Sequence, residues 1–192
     1  MKHFCHKICL VVLACFPYLS ASAYDFTAGG LEFTITSFKD LTVSVDGDVG
    51  FSDKLVIPQT IVYKGRTLTV TSVGDNAFSG TNSLQSVSLP NTILSIGDYA
   101  FSDNSKSLRA IYVYAEKVPI LPYNSCAFEG CDSKKCKVYV PIGTYDAYSR
   151  SQFGYFENIV EFDATSFRNT IATAENQDTT HYVVNDKKEH TH

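Results

Sequence analysis

Apolar residues recur two apart in four short runs of this chain, Leu55-Val-Ile57, Val87-Ser-Leu89, Ile111-Tyr-Val113 and Val138-Tyr-Val140. Period two is the mark of a strand with one buried face, so the runs predict four short strands with these aliphatics turned inward. Pro58, Pro90 and Pro141 follow three of them and end the ladder, because proline donates no N–H. Between the strands an octet occurs twice, Val73-Gly-Asp-Asn-Ala-Phe-Ser-Gly80 and Ile96-Gly-Asp-Tyr-Ala-Phe-Ser-Asp103, with matching positions 23 residues apart. A third Ala-Phe pair, Ala127-Phe128, follows the second by 27 residues, and the strand at Val138 follows Ile111 by the same 27. Strand and Ala-Phe therefore belong to one repeating unit.

Self-similarity at this period predicts a solenoid, in which each unit buries its apolar face against its neighbours. Within a unit the strand aliphatics and the Phe fill the interior, and Ala lets adjacent coils approach. The Gly of Val73-Gly-Asp75 and Ile96-Gly-Asp98 is expected to form a turn with positive φ. Phe78, Phe101 and Phe128 should stack in one interior column.

The segments around the repeats read as follows. Sixteen residues separate Pro58 from Gly74 where seven separate Pro90 from Gly97, and the extra length holds two β-prone runs about Lys64-Gly65, a hairpin insert at 59–70. Leu31-Glu-Phe-Thr-Ile-Thr36 and Leu41-Thr-Val-Ser-Val45 alternate and predict a second hairpin, within an N-terminal cap at 24–53 that covers the first coil. The repeats occupy 54–141. A C-terminal cap at 142–162 holds a short helix with Thr144 as its N-cap, then Phe153, Phe156, Ile159, Val160 and Phe162 as a closing apolar set. Apolar content collapses after Asp163, so 163–192 reads as a polar, disordered tail. The fold class is mainly β, a short solenoid with a β-hairpin cap at one end and a helix/strand cap at the other.

The first 23 residues read as a signal peptide. Lys2, His3, His6 and Lys7 precede an apolar stretch from Ile8 to Phe16, and Ala21-Ser-Ala23 suits signal peptidase. A rival reading is a lipoprotein, with Leu13-Ala-Cys15 cleaved before a lipidated Cys15. Leu at the second position before Cys and the bulky Phe16-Pro-Tyr18 after it fit that reading less well. The stretch is shorter than the ~20 residues of a membrane-spanning helix, so no transmembrane segment is expected.

Loss of Lys2 and Lys7 with the signal takes the formal charge from −4 to −6. A mildly acidic chain with no basic run excludes nucleic acid as a partner. Cys126, Cys131 and Cys136 remain, an odd number in an exported chain. Cys131 and Cys136 could close a small disulfide loop, or all could be small buried hydrophobes at a turn. Their spacing fits no zinc finger. Asp46-Gly-Asp48 with Asp53 lacks the spacing and the final Glu of a calcium loop and reads as a polar turn. No metal or cofactor is assigned.

These residues resemble the bacterial surface leucine-rich-repeat family typified by BspA, whose unit of about 23 residues runs strand, Pro, then Ile-Gly-x-x-Ala-Phe. The likeness covers 24–162, including Tyr24-Asp-Phe26, the Tyr63-Lys-Gly65 turn, Val138-Tyr-Val-Pro-Ile-Gly-Thr144 and Asn158-Ile-Val-Glu161. It implies a leucine-rich-repeat solenoid exported by host-associated anaerobes of the Bacteroidetes type, with surface adhesins that bind host matrix proteins among its relatives. The chain departs from them in having about three units and no apparent C-terminal anchoring domain.

The chemistry points away from catalysis. The five His stand at 3, 6, 181, 190 and 192, so 24–162 can build no Ser-His or Cys-His nucleophile, and no phosphate loop appears. The candidate site is the outward face of the strands: Ser88, Tyr112 and Tyr139 in one column, Tyr114 at a strand end, and Lys137 beside them. Tyrosine on such a face is an amphipathic contact residue suited to protein or sugar, though it is also simply β-prone. The resulting expectation is an exported, non-enzymatic, monomeric module that binds a protein or glycan through this face, in host or surface adhesion. The alternative is an accessory part of a cell-surface assembly, and a carbohydrate-active enzyme is more distant. The destination is the periplasm, the cell surface or the medium.

Overall fold

The computed structural model describes residues 24–48, 50, 53–104 and 107–165. The signal peptide and lipoprotein readings of 1–23, and the reading of the tail from 166 on, lie outside the described residues. The strands in chain order are β1 (Phe26–Ala28), β2 (Leu31–Ser37), β3 (Thr42–Asp48), β4 (Lys54–Val56), β5 (Thr60–Tyr63), β6 (Arg66–Val73), β7 (Ser86–Leu89), β8 (Ser95–Ile96), β9 (Ala110–Val113), β10 (Lys137–Pro141) and β11 (Asn158–Phe162). Helix α1 (Tyr145–Ser149) and a 3-10 turn (Gln152–Tyr155) stand between the last two strands. None of the described helices is long and apolar enough to cross a membrane.

The coils are held on three sides. On the first, β4, β7, β9, β10 and β11 form a parallel sheet with the inward register Leu55, Val87, Ile111, Val138, Ile159. Val87, Ile111 and Val138 are fully enclosed. The second side is a parallel ladder of β3, β6 and β8, in which Val45, Val73 and Ile96 align, and Ser95 bridges onward to Ile120. Periodicity does not reveal this side, since β8 is two residues long. The third side carries no strand among the described residues. There Phe78 N donates to Ala100 O and Phe101 N to Ala127 O, both at 2.8 Å, so each Phe sits over the next. Their ring centroids are 5.5 and 5.7 Å apart, and Phe153 and Phe156 of the C-terminal cap close the column.

The glycines of the octets do a different job from the one expected. Gly74 and Gly97 have no positive φ; the left-handed residues are Asn76 and Tyr99, two places on, with Gly80, Asp103 and Gly130 after the Phe. What Gly97 provides is clearance: a Cβ there would stand 2.6 Å from Asp75 N and from the carbonyl carbon of Gly74. The Asp that follows ties the coils, with Asp75 Oδ1 accepting from Asp98 N and Asp98 Oδ1 from Cys126 N, both at 2.7 Å.

A polar ladder lies within the core. Three residues after each Phe come Thr81, Asn104 and Cys131, which repeat the 23- and 27-residue steps. Asn104 is fully buried, and its Nδ2 donates to Phe78 O at 2.8 Å and Phe101 O at 3.1 Å. The Thr81 hydroxyl lies 3.0 Å from both Phe78 O and Asn104 Oδ1, and Cys131 Sγ donates to Phe101 O at 3.2 Å. Each polar side chain satisfies a carbonyl that the tight Phe turn leaves inside, which is what a buried peptide group requires. Cys131 and Cys136 are free thiols, buried rather than paired.

At the N-terminus the predicted hairpin is β2 and β3, with β1 added at its edge, and it joins the second sheet through the pairing of β3 with β6. Asp46-Gly-Asp48 ends β3 and is no turn. The insert hairpin is β5 and β6, turned at Lys64 and Gly65, both with positive φ as a primed two-residue turn demands. Past the insert, β6 runs on to Val73 and becomes the second side of the first coil. Phe26 stacks on Tyr63 at 4.0 Å, joining the two hairpins. At the other end Thr144 flanks α1 without a side-chain cap, its hydroxyl donating back to Pro141 O. Glu161 of β11 takes the capping role, accepting from Gly143 N at 2.8 Å and Tyr145 N at 2.9 Å.

Candidate functional site

The outward column of the five-stranded sheet reads Val56, Ser88, Tyr112, Tyr139, Val160 by backbone register. Tyr112 and Tyr139 are set by strands whose inward neighbours, Ile111 with Val113 and Val138 with Val140, are fully buried, which fixes both strand faces. Their rings stack at 4.6 Å between centroids, 9° from parallel, and both remain half-exposed. That separation is close to the ~4.8 Å between neighbouring strands, so the sheet itself sets the stack. Burial together with the neighbouring Tyr139 pushes the Tyr112 hydroxyl above its ordinary pKa, which keeps it a neutral donor. Lys137, on β10, is exposed at the rim.

Two of the expected contact residues are not available at the surface. Tyr114 is 1 % exposed and Ser88 is 9 % exposed, although both lie on the outward side. Burial pushes the Tyr114 hydroxyl up to about 12, with the neighbouring Ser88 hydroxyl acting to lower it. Part of the cover over Tyr114 is Phe162, the last residue of β11. Its ring meets Tyr114 edge-on at 5.5 Å, Tyr112 at 6.2 Å and Tyr139 at 6.3 Å. Phe162 therefore belongs to the site, together with Val160, which is 40 % exposed. Its signal in the sequence is the alternation of Ile159, Val160 and Phe162 behind a strand-like Asn158, which reads equally well as a loose apolar cluster. The face is thus an aromatic shelf of Tyr112, Tyr139 and Phe162 between two exposed valines, Val56 and Val160, with Lys137 at its edge. Such a shelf offers flat ring surface and hydroxyl donors, the chemistry used to grip a sugar face or an apolar side chain.

The family model described as "BspA type Leucine rich repeat region" matches residues 66–173 in six copies. A leucine-rich-repeat protein from Bacteroides capillosus superposes with a TM-score of 0.53 at 21 % identity, covering 71 % of this chain and 96 % of that one. A second from Bacteroides ovatus, at 24 % identity, covers 71 % of this chain and 41 % of its own with a TM-score of 0.43. A leucine-rich cell surface protein from Faecalibacterium prausnitzii shows 18 % identity and a TM-score of 0.43 over 76 % of this chain and 34 % of its own. No curated protein matches the chain.

Proposed function

The chain belongs to the BspA-type leucine-rich-repeat family, and from that premise we propose that it is an exported, non-enzymatic binding module that grips a protein or glycan through its strand face. The observation that carries this reading is the stacked pair of Tyr112 and Tyr139, two half-exposed rings whose strands are already anchored by the buried aliphatics on the other side. Rigid tyrosines cost little rotamer entropy on binding, and a stacked pair presents continuous area. The lack of any histidine in 24–165 supports a non-catalytic role. Export rests on the leader, with Tyr24 as the first mature residue; N-terminal sequencing from the native host tests it, and a chain starting at a lipidated Cys15 would place it on a membrane instead.

The binding test is a glycan array and a panel of extracellular-matrix proteins probed with the mature chain. A hit should weaken by at least ~1 kcal/mol on Tyr112→Ser with Tyr139→Ser, at unchanged fold. An undiminished hit refutes the strand-face reading. A second reading, an accessory role in a surface assembly, draws on the outer edge of β11, which pairs with no strand among the described residues.

A further inference from the structure

We propose that the outward face of the second sheet is a separate carbohydrate site, a groove that holds an extended, uncharged oligosaccharide across the coils. It lies on a different side of the coils from Tyr112 and Tyr139 and does not depend on the strand-face reading. In the ladder of β3, β6 and β8 the residues just before the buried Val45, Val73 and Ile96 are Ser44, Ser72 and Ser95, aligned by backbone register, and Ser95 bridges onward to Ile120. Successive residues of a strand face opposite ways, so with the aliphatics inside the three serines form one outward column. Over this column runs a groove of about 440 Å³, lined also by Asp75, Ile120 and Pro122.

The polar groups of the groove differ in what already holds them. Ser44 is 8 % exposed and donates to Asp46 Oδ1 at 2.7 Å, so its donor is occupied. Ser72 and Ser95 are partly exposed, and their hydroxyls make no hydrogen bond among the described residues. Asp75 is exposed, and its Oδ1 accepts from Asp98 N while its second oxygen is open. The groove thus offers two unpaired hydroxyls and a carboxylate oxygen, with no Lys or Arg in its lining. What complements that set is a ligand rich in hydroxyl donors and without negative charge. The serines repeat at the strand spacing of ~4.8 Å, close to the length of one pyranose unit in an extended chain, so successive sugars meet equivalent hydroxyls. Ile120, 68 % exposed, gives the C–H face of a sugar ring an apolar rest. An extended peptide fits less well, because on the face of a sheet it finds no backbone edge to pair with.

The experiment titrates the full mature chain calorimetrically with neutral β-1,4-linked hexasaccharides of glucose, mannose and N-acetylglucosamine. A hexauronate serves as the acidic probe and a lysine-rich peptide as the basic one. A neutral sugar should bind, and Ser72→Ala with Ser95→Ala should weaken it about tenfold, the loss expected of two net hydrogen bonds. Asp75→Asn keeps an acceptor for Asp98 N, so the coils stay tied, and it should raise hexauronate binding at least about threefold, a gain that no loss of fold could mimic. The proposal is overturned if no neutral sugar binds, if only the peptide does, if the serine variant binds like the parent, or if Asp75→Asn brings no gain. A sugar that is lost on Tyr112→Ser with Tyr139→Ser but kept by the serine variant assigns the binding to the strand face and sinks the groove alone.

Discussion

Replacing Asn104→Leu tests whether the buried amide ladder holds the coils together or merely fills space. Leucine repeats asparagine's branched shape and number of heavy atoms but is larger, so the substitution removes the hydrogen bonds without opening a cavity. The loss is the pair of bonds from Nδ2 to Phe78 O and Phe101 O and the acceptor Oδ1 near Thr81. Phe78 O keeps the Thr81 hydroxyl at 3.0 Å, but Phe101 O is left with the weak donor Cys131 Sγ at 3.2 Å. One well-made net bond lost and one carbonyl left nearly unpaired come to about 2 to 3 kcal/mol. Asn104→Ala adds a cavity and should cost about 1 kcal/mol more. The chain has no tryptophan, so urea unfolding is followed by far-UV circular dichroism. With a slope near 2 kcal/mol/M, the leucine variant should unfold about 1 M earlier in urea. A leucine variant within ~0.5 kcal/mol of the parent, close to the scatter of neutral surface changes, would show that the carbonyls find other partners and that the ladder contributes packing alone.

Other expectations follow from the same coils. Phe101→Ala, at the fully buried centre of the Phe column, should cost ~3 to 5 kcal/mol in the same urea assay, and a near-neutral result would break the column's assigned register. Gly97→Ala drives a methyl into the backbone of the preceding coil and should cost at least ~1 to 3 kcal/mol, whereas Gly80→Ala, with open space around it but φ at +69°, should cost about 1 kcal/mol; the reverse order would refute the clearance role of Gly97. Burial pushes the Cys131 thiol up to about 11 and Cys136 to about 12 from an ordinary value of 9. The folded chain thus favours their neutral forms, and this stability is whole below pH 9 and lost as pH rises through the folded values. A urea midpoint that falls from pH 9 upward, with only Cys126 of the three reacting rapidly with a thiol reagent at pH 8, checks this, and rapid reaction at Cys136 in the folded chain would contradict it.

The sequence by itself determined the solenoid, its register and its interior column. Ala-Phe and core polar residue share the steps of 23 and 27, the strand shares the 27, and in a one-dimensional stack a shared step is a shared position. The same arithmetic would have found the Thr81, Asn104, Cys131 ladder, which was hidden only because its three members have different chemistry. Periodicity did not reach features shorter than its own wavelength: the second sheet, where a coil spends two residues at β8, and the fifth strand, whose alternation merges with the apolar cap. It also assigned the octet glycine to a left-handed turn, because sequence records that a residue lacks a side chain and not whether a torsion or a neighbouring backbone requires the lack. The candidate face divided along the same line. Alternation put Ser88, Tyr112 and Tyr139 in one outward column, the order in which the backbone register aligns them, but outward is a property of one strand and exposed is a property of everything packed around it. Phe162, more than twenty residues downstream of Tyr139, helps cover Tyr114 and leaves Tyr112 and Tyr139 half-open, and only the tertiary structure brings those rings together.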